Sequence, residues 1–177
     1  MQGWKGRMAN DGETISDPMT DPDLPPPVIA MRRRILDACA RRDIEALRMP
    51  IDSNEVRPMF ERGARRPPGE DPIERLKALS FDGRGLEIIM LLRAVLRQSF
   101  VVVTSGPTRM FVWPAFALKP PLTPTSDERL SMLACVRFAD LGRPNPGGGM
   151  PPPMRVGIGA DGVWHYFWSG LAPADSH

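Results

Sequence analysis

The feature that most constrains this chain is a change of apolar period near residue 100. Upstream, apolar side chains recur three and four residues apart, the spacing of one helix face. From Phe100 onward they come in short β-branched or alternating runs. Elements segregated in this way predict an α+β fold, with helices in the N-terminal half packed on a small antiparallel sheet built from C-terminal hairpins. A chain of 177 residues, 42% of them apolar, is long enough for one domain with a real core.

The helical half is punctuated by caps. Val28, Met31, Ile35 and Cys39 form a stripe that Leu36 broadens, predicting a helix from about Val28 to Arg41. Asp43 is placed to cap a short helix, Ile44 to Met49, which Pro50 is expected to stop. Residues 51–70 are broken by Pro58, Gly63, Pro67, Pro68 and Gly69 and read as irregular. Asp71-Pro72-Ile73-Glu74 then combines an N-cap carboxylate, a proline at the first helical position and a Glu able to reach back. After the turn Asp82-Gly83-Arg84-Gly85, a helix from Leu86 to about Gln98 is apolar on most of its circumference, which predicts a central place in the core.

Phe100 to Thr104 and Arg109 to Trp113 read as one hairpin around Ser105-Gly106-Pro107-Thr108, with Pro114 ending the second strand. Thr125 to Glu128 is a capping box for a helix through about Asp140, with Leu130, Leu133 and Val136 facing inward. The clearest hairpin comes last: Met154 to Gly159 and Val163 to Ser169 flank Asp161-Gly162, a pair suited to a type I′ turn. Strict alternation would put Trp164, Tyr166 and Trp168 on one face and Val163, His165 and Phe167 on the other.

Proline marks the segments outside this pattern: ten of the 21 fall within 18–27 and 144–153. Residues 1–27, acidic and nearly free of aliphatic side chains, read as a disordered tail, because they bury too little to offset their ordering entropy. The domain is expected over 28–171, with a Pro/Gly-rich loop at 142–153 and a flexible C-terminus at 172–177. A formal charge of +2 is far from the profile of a nucleic-acid binder. Cys39 and Cys135 have no metal-ligand spacing and read as buried thiols. No apolar run spans a membrane and none resembles a secretory signal, so the default location is cytoplasmic.

Two resemblances follow from particular segments. Val112-Trp113-Pro114-Ala115-Phe116-Ala117, taken with Val156-Gly157-Ile158-Gly159-Ala160-Asp161-Gly162-Val163-Trp164-His165-Tyr166-Phe167, resembles a family of small alphaproteobacterial proteins with no assigned chemistry. Arg42 to Leu47, Asn54-Glu55-Val56 and Asp71-Pro72-Ile73 agree with it in order. Members of that family are often exported, which the resemblance implies as an alternative to the cytoplasm. The Asp43-Ile44-Glu45-Ala46-Leu47 segment with a terminal Asp-Gly-x-Trp is also similar to the cone-shaped ketosteroid-isomerase-like fold, a fold that needs more strand than is legible here.

The candidate site residues are Trp113, Trp164, His165, Tyr166 and Trp168, all in the hairpins. If Val163 and Phe167 face the core, three aromatics are left on the outer face and need a partner. That points first to a non-catalytic binding or assembly module, with a homo-oligomer or a protein as partner. A small-molecule or hydrolytic pocket using His165 comes second; it requires Asp82, Glu55 or Glu87 to orient the imidazole. Arg32-Arg33-Arg34 on the first helix would suit a nucleic-acid regulator, but with Asp37, Asp43 and Glu45 near it reads as a solvated charged face. No catalytic residue, cofactor or metal ligand is assigned, and Gly147-Gly148-Gly149 lacks the ending of a phosphate loop.

Overall fold

The structure, a computed structural model, describes residues 12–143 and 148–171. It has the α+β architecture that the change of period predicts. Five helices and a five-stranded antiparallel sheet make up the described residues. The strands are β1 (Glu13–Ile15), β2 (Val101–Ser105), β3 (Thr108–Trp113), β4 (Met154–Gly159) and β5 (Trp164–Ser169), adjacent in sequence order. The helices are α1 (Pro26–Ala40), α2 (Arg48–Asp52), α3 (Pro72–Leu79), α4 (Leu86–Leu96) and α5 (Ser126–Leu133).

One face of the sheet packs on α1 and α4. Val28, Met31 and Ile35 of α1 meet Ile88, Leu92 and Val95 of α4, and Phe111, Trp113, Val156, Ile158, Trp164 and Phe167 close the core from the strands. The opposite face carries a second, smaller cluster at its β1–β3 end, where Val101, Val112 and Ala115 pack with Ile15, Val103 and Met110. None of the helices among the described residues is long and apolar enough to cross a membrane.

Several local expectations are corrected. The tail expected over 1–27 does not extend through its second half; residues 1–11 lie outside the described residues. Glu13–Ile15 pairs with β2, Leu24 is buried, and α1 begins at Pro26. Backbone hydrogen bonds to β2, which no local pattern foretells, supply what the segment lacks in apolar area. The 172–177 terminus and residues 144–147 of the proline loop also lie outside the described residues.

Pro50 does not stop the second helix. A 3-10 turn, Ile44–Leu47, with Asp43 accepting from the Glu45 N–H, leads into α2, where Pro50 sits in the first turn and forfeits no helical hydrogen bond. Asp71 caps α3 through the Ile73 N–H, but Glu74 pairs with Lys77 instead of reaching back to the cap. Helix α5 keeps its capping box at Thr125 and Glu128, yet ends at Leu133, and Leu130 and Leu133 are 65% and 44% exposed rather than inward. Val136 is buried as expected.

The Asp161-Gly162 turn is not type I′. Positive φ is confined to Gly162 (86°). The Gly162 N–H donates to Gly159 O at 2.8 Å and the Gly159 N–H to Val163 O at 2.9 Å. That is a three-residue connection in which the glycine takes the left-handed position after a turn. Gly162 also lies on α1: a Cβ there would come within 2.7 Å of Pro27 O.

Candidate functional site

The five hairpin residues do not form one surface. In β5 the register shifts: Gly157 pairs with Tyr166 and the next residue, Ile158, with Trp164, leaving His165 as an extra residue. This β-bulge breaks the alternation. Trp164 therefore shares the core face with Phe167, both at 0% exposure. The Trp164 indole N–H donates to Tyr166 O at 3.0 Å, and its backbone N–H and C=O are both taken by Asn54. Phe60 meets its ring edge-on at 6.1 Å. Trp113 is equally buried, 5.2 Å from Phe100, and its indole N–H has no hydrogen-bond partner among the described residues. Both tryptophans are core residues, not surface anchors.

Tyr166 and Trp168 remain on the outer face, stacked at 4.4 Å and within 3° of parallel. The Tyr166 ring occupies the space above Gly157, where a Cβ would approach within 2.4 Å of it. Burial pushes the Tyr166 phenol up to about 12, Arg155 opposes the rise, and Glu13 adds to it. His165 is half-buried, and its carbonyl accepts from the Met59 N–H at 2.9 Å. Its imidazole pairs with none of the carboxylates expected to orient it. Glu87 is engaged at Phe81 and Phe138, and Asp82 accepts from the Ser80 hydroxyl and the N–H groups of Arg84, Gly85 and Leu86. Among the described residues no group of three His, Cys, Asp or Glu side chains could hold a metal.

The arginine run of α1 is divided as well. Arg32 donates through Nε and Nη2 to Leu96 O, at 2.9 and 2.6 Å, and so closes the C-terminus of α4, while Nη1 reaches Asp21. Only Arg33 and Arg34 are exposed. A cleft of about 370 Å³ is lined by the segment from Arg57 to Glu70 and by Pro72 and Arg75 of α3. Several of its polar groups are engaged: Arg57 donates to Glu70 O, Arg66 to Pro58 O, and Arg75 pairs with Glu61.

A pair of exposed aromatic rings lies elsewhere, around a buried carboxylate. Glu87 of α4 is 7% exposed, and its two oxygens accept the backbone N–H groups of Phe81 and Phe138, at 2.7 and 2.6 Å. The two phenyl rings meet at 5.1 Å while remaining 65% and 61% exposed. Leu141, one 3-10 turn beyond Phe138, is exposed too. Leu86, Met90 and Arg93 fall on one stripe of α4 that the C-cap residue Arg97 continues, and Met90 is 71% exposed. Helix α4 is central to the core, as its apolar circumference predicts, with Ile88, Ile89, Leu91, Leu92, Val95 and Leu96 buried. One stripe nevertheless faces outward, and its one acid, Glu87, is buried with the apolar residues.

Glu87, Asp82 and Asp140, the acids within six residues of Phe81 or Phe138, are turned inward. Glu87 and Asp82 serve backbone N–H groups, and Asp140, fully buried, takes Arg137 and Arg143. Arg84 and Arg97 are exposed and make no ion pair among the described residues. The border is thus cationic around an aromatic centre. The chain matches no protein-family model, no curated protein and no solved structure.

Proposed function

We propose that the protein is a non-catalytic binding module that docks an acidic, apolar segment of another protein across Phe81, Phe138 and the exposed stripe of α4. The observation that carries this reading is the Phe81–Phe138 pair: two rings in mutual contact, each well over half exposed, on backbone pinned by a buried carboxylate. Aromatic side chains held rigid at a surface lose little entropy on binding, and contiguous exposed apolar area of this kind marks interaction sites. The charge of the border selects the partner. Arg84, Arg93 and Arg97 favour acidic residues around the docked segment, and they oppose a two-fold contact that would set the same cations against each other.

The test begins with a photo-reactive phenylalanine analogue at position 81 or 138, cross-linked in host cells. The cross-linked peptide is then synthesised and titrated into the purified protein. The expected peptide combines acidic and large apolar residues. Its binding should weaken at least about tenfold in the Phe81→Ser/Phe138→Ser double variant and in Arg97→Glu. Melting temperature should change little, since these side chains are exposed. Cross-links only to a second copy of the chain would replace the partner with a homodimer. A peptide that binds the double variant as tightly as the wild type would remove this surface from the account.

A further inference from the structure

On the sheet, two guanidinium groups converge on one backbone residue, and neither has a counter-ion among the described residues. Arg155 of β4 and Trp168 of β5 are cross-strand partners on the outer sheet face. The Arg155 guanidinium packs against Gly170, where a Cβ would fall 2.5 Å from Nη2. Its Nε is fully buried, with no hydrogen-bond partner among the described residues. Arg62 arrives from the loop after Phe60, and its Nη1 points at Gly170 O from 3.4 Å. Neither arginine forms an ion pair among the described residues. Glu61, beside Arg62, is committed to Arg75. Glu13 acts on Tyr166 from across the face but pairs with neither guanidinium.

An arginine stays protonated at any pH a cell offers, so it cannot shed its charge to escape burial. Burial, and after it the neighbouring Arg62, act against the Arg155 charge. Among the described residues, a guanidinium in that position has no anion for the five donors it carries. Beside it, the stacked Tyr166–Trp168 pair provides a flat, half-buried aromatic wall.

We propose that this corner binds a small planar organic anion, its carboxylate or phosphate on Arg155 and Arg62 and its ring against Trp168. The site is separate from the Phe81–Phe138 surface and does not depend on the reading given for it. Glycine at 157 and at 170 is part of its construction, because a side chain at either would displace Tyr166 or Arg155.

The probes are benzoate, phenyl phosphate and inorganic phosphate, titrated into the full chain while the Trp168 indole resonance and the Arg155 side-chain resonance are followed by NMR. The expected result is saturable movement of both resonances with benzoate or phenyl phosphate; whichever binds tighter identifies the anion. Arg155→Met should weaken that binding at least about tenfold while leaving melting temperature equal or higher, since it removes a buried unpaired charge. Arg62→Met, a change on a half-exposed loop, should weaken it in the same sense and serves if the first variant folds poorly. Three results would overturn the proposal: no saturable movement with any probe, unchanged affinity in both variants, or inorganic phosphate binding as well as phenyl phosphate with Trp168 unmoved.

Discussion

The terminal nitrogens of Arg48 reach both carboxylate oxygens of Asp71, at 3.0 and 2.9 Å, joining the start of α2 to the cap of α3. Hydrogen bonds from Arg48, and then from the Ile73 N–H, hold the Asp71 carboxyl below its ordinary value. Lys77, and then Arg48, do the same for Glu45. A carboxyl depressed in the folded state binds fewer protons there than in the unfolded chain. Its stabilising effect is therefore complete above the unfolded value and is lost as pH falls through the folded one. Urea midpoints should decline below about pH 5, and the decline should be shallower in Asp71→Asn. Parallel pH profiles for the two proteins would show that the pair does not contribute.

Gly157→Ala places a methyl group where the Tyr166 ring now lies, 2.4 Å from two of its carbons. Because the ring is held by its stack on Trp168, the change should destabilise by about 1–3 kcal/mol in guanidinium unfolding. In a Tyr166→Ala background most of that loss should vanish, and an undiminished loss would place the strain in the backbone.

Glu87→Gln leaves one oxygen where two backbone N–H groups now find one each. The cost should be about 1.5–3 kcal/mol, the range for hydrogen bonds to a charged acceptor. Amide exchange should accelerate at Phe81, Phe138 or both, while protection inside α1 persists. Uniform acceleration everywhere would mean that Glu87 supports the whole core, not these two loops.

Trp164→Ala removes a ring from the centre of the core and should cost about 3–5 kcal/mol. Trp168→Ala, from the half-buried face, should cost clearly less. Equal losses would contradict the bulge that separates the two residues.

Burial pushes both the Cys39 and the Cys135 thiol up to about 12. The thiolate is the reacting species, so neither should be labelled by a disulfide reagent at neutral pH until the chain unfolds. Rapid modification of one cysteine in the native state would reveal local opening at that residue.

What was legible in the sequence follows from how local each feature is. Asp43, Asp71 and Thr125 cap within a few residues of themselves, and all three act as read. The strands β2 to β5 were visible because their apolar periods are short and bounded by turn residues. Strand β1 was not, because Glu13-Thr14-Ile15 has one aliphatic side chain and owes its conformation to a partner far along the chain. The aromatic stripe failed at a single residue: the extra place taken by His165 turns Trp164 inward, and a bulge leaves no mark in an alternating pattern. The two surfaces proposed for binding depend on distant residues meeting. Phe81 finds Phe138 through Glu87, and Arg62 finds Arg155 at Gly170. Nothing in the spacing of those residues announces it.

The sheet is a simple meander in space, yet its first strand is separated from the second by the whole helical half of the chain. During synthesis β1 emerges long before β2 exists to receive it, and closing so large a loop carries an entropic cost that the short hairpins β2–β3 and β4–β5 avoid. Assembly order and spatial order are therefore expected to differ, with the border strand, made first, joining last. Its departure leaves the other four strands paired, so this edge is expected to open more readily than the hairpins.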